Sequence, residues 1–196
     1  MRSSSVFFPV LLFGCVHTVA AQEQRFNAGA IMGLNFAELV GDGGTDYIGP
    51  NVGLIRTYRF AKHGQVAMEM LYSQNGEYIL PEYYPALSYG KVRLHHIEIP
   101  VHVDLLVGLM KHDTYYDWHL NIGIAYTELL SYRAEELGGI DVTEQVVYGN
   151  KRAMLLQAGT TYHVSRRVGL NWRVSLPIRV DGLSWTMAAR ALYMFA

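Results

Sequence analysis

The sequence predicts an all-β fold, specifically an eight-stranded antiparallel up-and-down transmembrane β-barrel. Three observations predict it. Apolar and polar residues alternate with period two over about eight segments, the mark of strands with one greasy and one polar face. The links between segments alternate in length: those near Lys62, Lys111 and Arg166 are short, and those near Gly43, Tyr83 and Glu136 are long. An outer-membrane barrel gathers short turns at its periplasmic end and longer loops outside. Aromatic residues (Phe26, Phe36, Tyr72, Tyr116, Tyr126, Trp185, Tyr193, Phe195) fall near segment ends, where interfacial girdles would lie. The competing architecture is a soluble, lipocalin-like periplasmic barrel. It would turn its aliphatic face inward around a small apolar ligand.

The chain has 196 residues, enough for one domain or one small barrel. Hydrophobic residues make up 51% of it, yet beyond the extreme N-terminus no run approaches the ~20 apolar residues of a spanning helix. A formal net charge of −1 gives no electrostatic case for nucleic acid. Met1-Arg2, the apolar run Val6 to Val16 and the small residues Val19-Ala20-Ala21 read as a signal peptide over residues 1–21, cleaved after Ala21. The run is too short for a membrane anchor. The barrel domain is then 22–196. Cys15, the only cysteine, leaves with the signal peptide, so the mature chain would form no disulfide.

The first strand runs from Arg25 to Phe36, with Phe26, Ala28, Ala30, Met32, Leu34 and Phe36 on one face. A loop through Gly41-Asp42-Gly43-Gly44 to Pro50 follows. The second strand, Asn51 to Phe60, puts Arg56 among Val52, Leu54, Tyr58 and Phe60, which a bulge or the opposite register would repair. In the third, Val66, Met68, Met70 and Tyr72 oppose Gln65, Glu69, Ser73 and Asn75. A tyrosine- and proline-rich loop, Gly76 to Gly90, leads to the fourth strand, Val92 to Leu105. There Ile97, Ile99, Val101, Val103 and Leu105 oppose Glu98, Pro100, His102 and Asp104. The fifth sets Tyr116, Trp118, Leu120, Ile122, Ile124 and Tyr126 against Asp117, His119, Asn121 and Thr127. An irregular acidic stretch from Glu128 to Asn150 precedes a weakly alternating sixth strand near Ala153 to Val164. The seventh opposes Val168, Leu170, Trp172, Val174 and Leu176 to Asn171, Arg173 and Ser175. The eighth, after the Asp181-Gly182 turn, opposes Trp185, Met187, Ala189, Ala191, Tyr193 and Phe195 to Thr186, Arg190 and Leu192.

Several stretches resemble the outer-membrane β-barrel families of Bacteroidetes, particularly the PorT-like group. Glu69-Met70-Leu71-Tyr72-Ser73-Gln74-Asn75-Gly76 is similar to that group's E-L-x-Y-S-x-K-G strand end, and Ile97-Glu98-Ile99-Pro100-Val101 to its Y-L-E-I-P strand. Gly29, Gly33 and Asn35 match its opening G-x-x-x-G-x-N, and Tyr193-Met194-Phe195 resembles the aromatic ending read by the barrel assembly machinery, with Ala196 added. The resemblance implies an outer-membrane protein in contact with lipid, and no particular activity.

Glu69 and Glu98 lie on adjacent strands facing one side; Arg173 and Arg190 lie on another adjacent pair, also facing the lumen. A small barrel fills its lumen with side chains, and charges buried there must be paired. A Glu–Arg plug follows, with Arg173 or Arg190 the expected partner of Glu98. Catalysis finds little support. His102, Asp104 and Ser73 form no legible nucleophile–base–orienter set, and no G-x-S-x-G occurs. Metal binding by His95, His96 or His119 lacks ligand spacing, and neighbouring strand histidines diverge. No cofactor is expected. The long loops, with Tyr78, Tyr83 and Tyr84, are the expected place for an envelope protein or glycan partner, because tyrosine offers contact area and a hydrogen bond. The same tyrosines would also serve as interfacial anchors.

Overall fold

In a computed structural model, described over residues 25–38, 45–79, 90–111, 115–135, 151–178 and 185–195, the chain forms a closed barrel in which each strand pairs with its neighbours in sequence. The strands are β1 (Phe26–Glu38), β2 (Thr45–Ala61), β3 (Gly64–Ile79), β4 (Gly90–Lys111), β5 (Tyr115–Glu135), β6 (Arg152–His163), β7 (Val168–Pro177) and β8 (Trp185–Met194). All pairings are antiparallel, and β1 closes on β8 from Gly29↔Met194 to Glu38↔Trp185. The expected signal peptide, residues 1–21, lies outside the described residues.

The aliphatic face points outward. Met32, Leu34, Val52, Leu54, Met68, Met70, Val101, Val103, Leu120, Ile122, Ile124, Leu156 and Val174 are all exposed. Their strand neighbours Asn35, Asn51, Glu69, His102, Asn121, Gln157 and Arg173 are buried. A water-soluble barrel inverts this distribution, so the lipocalin-like alternative is not favoured: an apolar outer surface of this extent is stable only against hydrocarbon. Closure gives each strand a hydrogen-bonded neighbour on both sides, so the spanning sheet has no free edge strand, which is what a membrane requires.

Several boundaries differ from the sequence expectation. β2 begins at Thr45, so Pro50 lies on a strand rather than ending a loop. It sits in the register shift between Asp46 and Asn51, where a missing amide hydrogen costs least. The register from Asn51 to Arg59 is regular, so no bulge turns Arg56 inward. Arg56 stays on the outer face near the short-turn end, its guanidinium 5.5 Å from the Phe26 ring centre. A long arginine stem beside apolar surface with its charge at the water boundary is the snorkelling solution.

Tyr116 departs from its expected place in the girdle. Gly108, with φ of +86°, carries a bulge in β4 that shifts its register against β5 between Val107 and Met110. The Leu109 amide donates to Asp117 Oδ1 at 2.9 Å. Tyr116 is buried, its ring 5.0 Å from that of His63 on the β2–β3 turn.

β4 and β5 are longer than the apolar pattern predicted, 22 and 21 residues, where ~9–11 suffice to span. On β5 the outward apolar run ends at Tyr126. Glu128 follows, exposed and paired with Arg152 at 3.0 Å. Beyond it the ladder continues to Lys91↔Glu135, and β3 keeps pace to Ile79↔Gly90. β2 runs beside β3 as far as Thr45↔Tyr78, so the sheet formed by β2, β3, β4 and β5 continues past the Glu128–Arg152 level at the long-loop end.

Candidate functional site: the lumen charge network

Inward-facing positions of β3, β4, β7 and β8 converge at mid-height. Glu69 on β3 is the hub. Arg173 on β7 reaches across the lumen and grips it with two hydrogen bonds, Nη1 to Oε2 at 2.9 Å and Nη2 to Oε1 at 2.8 Å. Arg190 on β8 donates from Nη1 to Oε2 at 2.8 Å. His102 Nε2 lies 3.0 Å from Oε1. A carboxylate receiving a bidentate arginine and a second guanidinium is among the stronger arrangements available to buried charge.

A second layer holds the first. Arg173 also donates to Gln157 Oε1 at 3.2 Å, and Gln157 to Ser175 at 3.0 Å. Arg190 donates from Nε and Nη2 to Asn171 Oδ1, at 2.9 and 2.6 Å, while Asn171 donates to Thr161 at 2.8 Å. His102 Nδ1 sits 2.5 Å from Asp104 Oδ1, and Gln65 donates to the other Asp104 oxygen at 2.6 Å. Space for these long side chains comes from glycines directly across the ladder: Gly33 faces Arg190, Gly123 faces His102 and Gly159 faces Arg173. A Cβ on Gly33 would lie 2.8 Å from Arg190 Cγ, and one on Gly159 3.1 Å from Arg173 Cα.

Of the residues singled out from sequence, Glu69, Arg173 and Arg190 come together directly. Glu98 does not take the expected arginine. It is buried beside both guanidinium groups but is hydrogen-bonded by the Ser73 hydroxyl, while the arginines close on Glu69. The cause is register. Glu98 pairs with Leu71 and lies one step further toward the long-loop end than Pro100, the residue level with Glu69. Pro100 has no N–H to donate, and the β3–β4 ladder is interrupted there, between Met68↔Val101 and Leu71↔Glu98.

The acid–base candidates fall into this packing. Ser73 accepts from Asn35 at 2.6 Å, while His102 is held by Glu69 and Asp104, so the two have different partners. His95 and His96 diverge: His95 meets the Tyr72 hydroxyl at 2.6 Å and His96 is buried. Among the described residues no group of three or more His, Cys, Asp or Glu is placed to hold a metal ion. Tyr78 is not in a loop. It lies on the projecting end of β3, where Lys91 donates to its hydroxyl at 3.0 Å and stands 4.7 Å above its ring. Tyr83 and Tyr84 lie outside the described residues, as does most of the acidic stretch after β5.

Sequence reasoning missed His102, Asp104, Gln65, Gln157 and Asn171 as members of one network. Their common signal was parity: each is a polar residue in the inward phase of its strand.

A closed barrel with apolar residues outside and a packed polar interior defines a transmembrane β-barrel protein. Residues 20–192 match the outer membrane protein beta-barrel domain family, and the chain belongs to it. It is a protein of the bacterial outer membrane, where its outer face meets lipid. Similar solved folds include Ail, the attachment invasion locus protein of Yersinia pestis, solved with the heparin analogue sucrose octasulfate. It is 10% identical, with 87% of this chain and 99% of that chain covered and a TM-score of 0.49. Neisserial surface protein A is 16% identical over 87% and 97%, with a TM-score of 0.45. OprG from Pseudomonas aeruginosa is 12% identical over 87% and 94%, with a TM-score of 0.42. No curated protein matches the chain significantly.

Proposed function

We propose that this chain is a non-enzymatic outer-membrane barrel, sealed at mid-height, that binds an envelope protein or glycan at its long-loop end. The observation that carries the reading is the continuation of the β2–β5 sheet beyond the Glu128–Arg152 level. The projecting sheet exposes Leu130 and Tyr132 above the Glu128–Arg152 pair, where lipid no longer covers them. Exposed apolar and aromatic residues on a stiff sheet are favourable contact material for a partner. The sealed interior supports a role outside the lumen rather than conduction through it. Tyr83 and Tyr84, in the link joining β3 to β4, would add to the same surface.

The PorT-like group of Bacteroidetes is the finer family we infer. Its support is the pair of motif-like strands: Glu69 and Pro100, drawn from the two separate stretches, lie level with each other across β3 and β4. Export by the signal peptide over residues 1–21 and insertion by the barrel assembly machinery belong to this reading.

The test is cross-linking of the full chain in intact outer membranes. A variant carrying Tyr132→Ser, Tyr83→Ser and Tyr84→Ser should lose a partner that the unaltered chain captures, while still folding into the membrane. An identical set of cross-linked species in both would overturn the binding role.

A further inference from the structure

Below the charge network, toward the short turns, the lumen is not filled. A cavity of about 100 Å³ opens there, with Glu69, His102 and Arg173 as its roof. Its walls include Arg59, Gln65, Asp104, Tyr115, His119 and His163. The His119 and His163 rings lie 4.3 Å apart, each tied to a backbone group, of Tyr116 and Ser165 respectively. They act as a fixed wall.

The charges around this cavity do not balance. Its two carboxylates are already committed: Glu69 to Arg173, Arg190 and His102, and Asp104 to Gln65 and His102. Arg59 is different. It stands in the inward phase of β2, lines the cavity, and among the described residues its guanidinium makes no hydrogen bond or ion pair. Arg166, on the β6–β7 turn, lines the same space. A guanidinium in a confined polar space, with nearby carboxylates engaged elsewhere, attracts an anion more strongly than one in open water. Its flat fork matches an oxyanion, and Tyr115 and Thr57 supply neutral hydroxyls on the same walls.

We propose that this periplasm-facing vestibule is a binding site for a small oxyanion of phosphate, sulfate or carboxylate type, held by Arg59. The volume admits one such ion and excludes a nucleotide or sugar chain. The site is at the opposite end of the barrel from the partner surface proposed above and does not depend on it. Because Arg59 faces the lumen while Arg56 faces lipid, a free anion is distinguished from a lipid headgroup by which arginine matters.

The experiment titrates inorganic phosphate into the full-length barrel, folded in zwitterionic detergent micelles, by calorimetry at low ionic strength. The unaltered chain should bind one phosphate saturably. Arg59→Gln should weaken it roughly tenfold or more, the scale expected for losing a charge-assisted pair, and Arg59→Lys should retain part of the affinity. Arg56→Gln should change nothing. Folding of each variant is checked by heat-modifiable migration. Absence of saturable phosphate binding to the folded unaltered chain would overturn the proposal. So would equal binding by folded Arg59→Gln, or an equal loss in Arg56→Gln, which would assign the phosphate to the lipid boundary. If Arg59→Gln does not fold, Arg59→Lys decides: a reduced affinity supports the proposal, and an affinity equal to that of the unaltered chain overturns the role of the guanidinium fork.

Discussion

The two oxygens of Glu69 take contacts from three side chains, so removing its charge leaves Arg173 and Arg190 buried without the carboxylate they are hydrogen-bonded to, and with only Glu98 nearby. Breaking one partner of a buried pair costs about 3–5 kcal/mol, because the other charge is left uncompensated. Glu69→Gln should therefore lower the urea midpoint of the lipid-embedded barrel substantially. Glu98→Gln should have a smaller effect, since Glu98 accepts from Ser73 and no arginine closes on it. Equal losses in the two variants, measured by the urea dependence of heat-modifiable migration, would contradict the hub assignment. The glycines belong to this scale too. Gly159→Leu should destabilise by about 1–3 kcal/mol through overpacking against Arg173 and Asn121, whereas Ala158→Leu, on the outward face of the same strand, should be nearly neutral. The same unfolding assay separates them.

Each spanning strand is a two-sided object, and β5 shows it most simply. Ile122 is 62% exposed on the lipid side, while Asn121 beside it is 6% exposed on the lumen side. Ile122→Lys should cost about 2–4 kcal/mol if its level lies near the bilayer midplane, and Leu130→Lys, above the Glu128–Arg152 boundary, close to nothing. Reversible folding into short-chain lipid vesicles measures both. A comparable penalty at Leu130 would place the projecting end of β5 inside the membrane and remove the basis of the partner surface. On β4, Pro100 interrupts the ladder to β3 while pairing with β5 remains continuous through Ile99↔Tyr126 and Pro100↔Ala125. Glu69 bridges this level to the opposite wall through Arg173, so side-chain bonds cross the lumen where the β3–β4 ladder is weakest.

At the scale of the whole molecule, the interior has two halves. The Glu69–Arg173–Arg190 contacts cross the lumen at one level, and the vestibule lies between that level and the short turns. Reconstituted into planar bilayers, the barrel should show no stable ion conductance. A variant with Glu69→Ala, Arg173→Ala and Arg190→Ala, if it folds, should admit ions, because the side chains crossing the lumen are gone. Steady conductance by the unaltered chain would contradict a sealed lumen.

Period-two patterning by itself determined the number of strands and which residues of most strands share the apolar face; the link lengths and the aromatic strand ends added the membrane barrel, and closure showed that the apolar face is the outer one. The patterning did so because one face must match hydrocarbon and the other must not, a constraint written at every second position. Parity also placed Glu69, Arg173 and Arg190 in the lumen. It did not reveal which acid the arginines would choose. That depends on the stagger between strands far apart in sequence, which sets Glu69 level with Pro100 and carries Glu98 one step away. Strand ends were illegible for a related reason. Beyond Tyr72 and Tyr126 no lipid enforces alternation, so the projecting ends of β2, β3, β4 and β5 look like loop until their pairing is seen. Tyr116 was misplaced because the alternation of β5 breaks at its start, where Tyr116 and Asp117 are both buried opposite the bulge at Gly108 in β4. The vestibule was decided by tertiary structure alone, since a cavity is the space left when eight strands close, and no one strand records it.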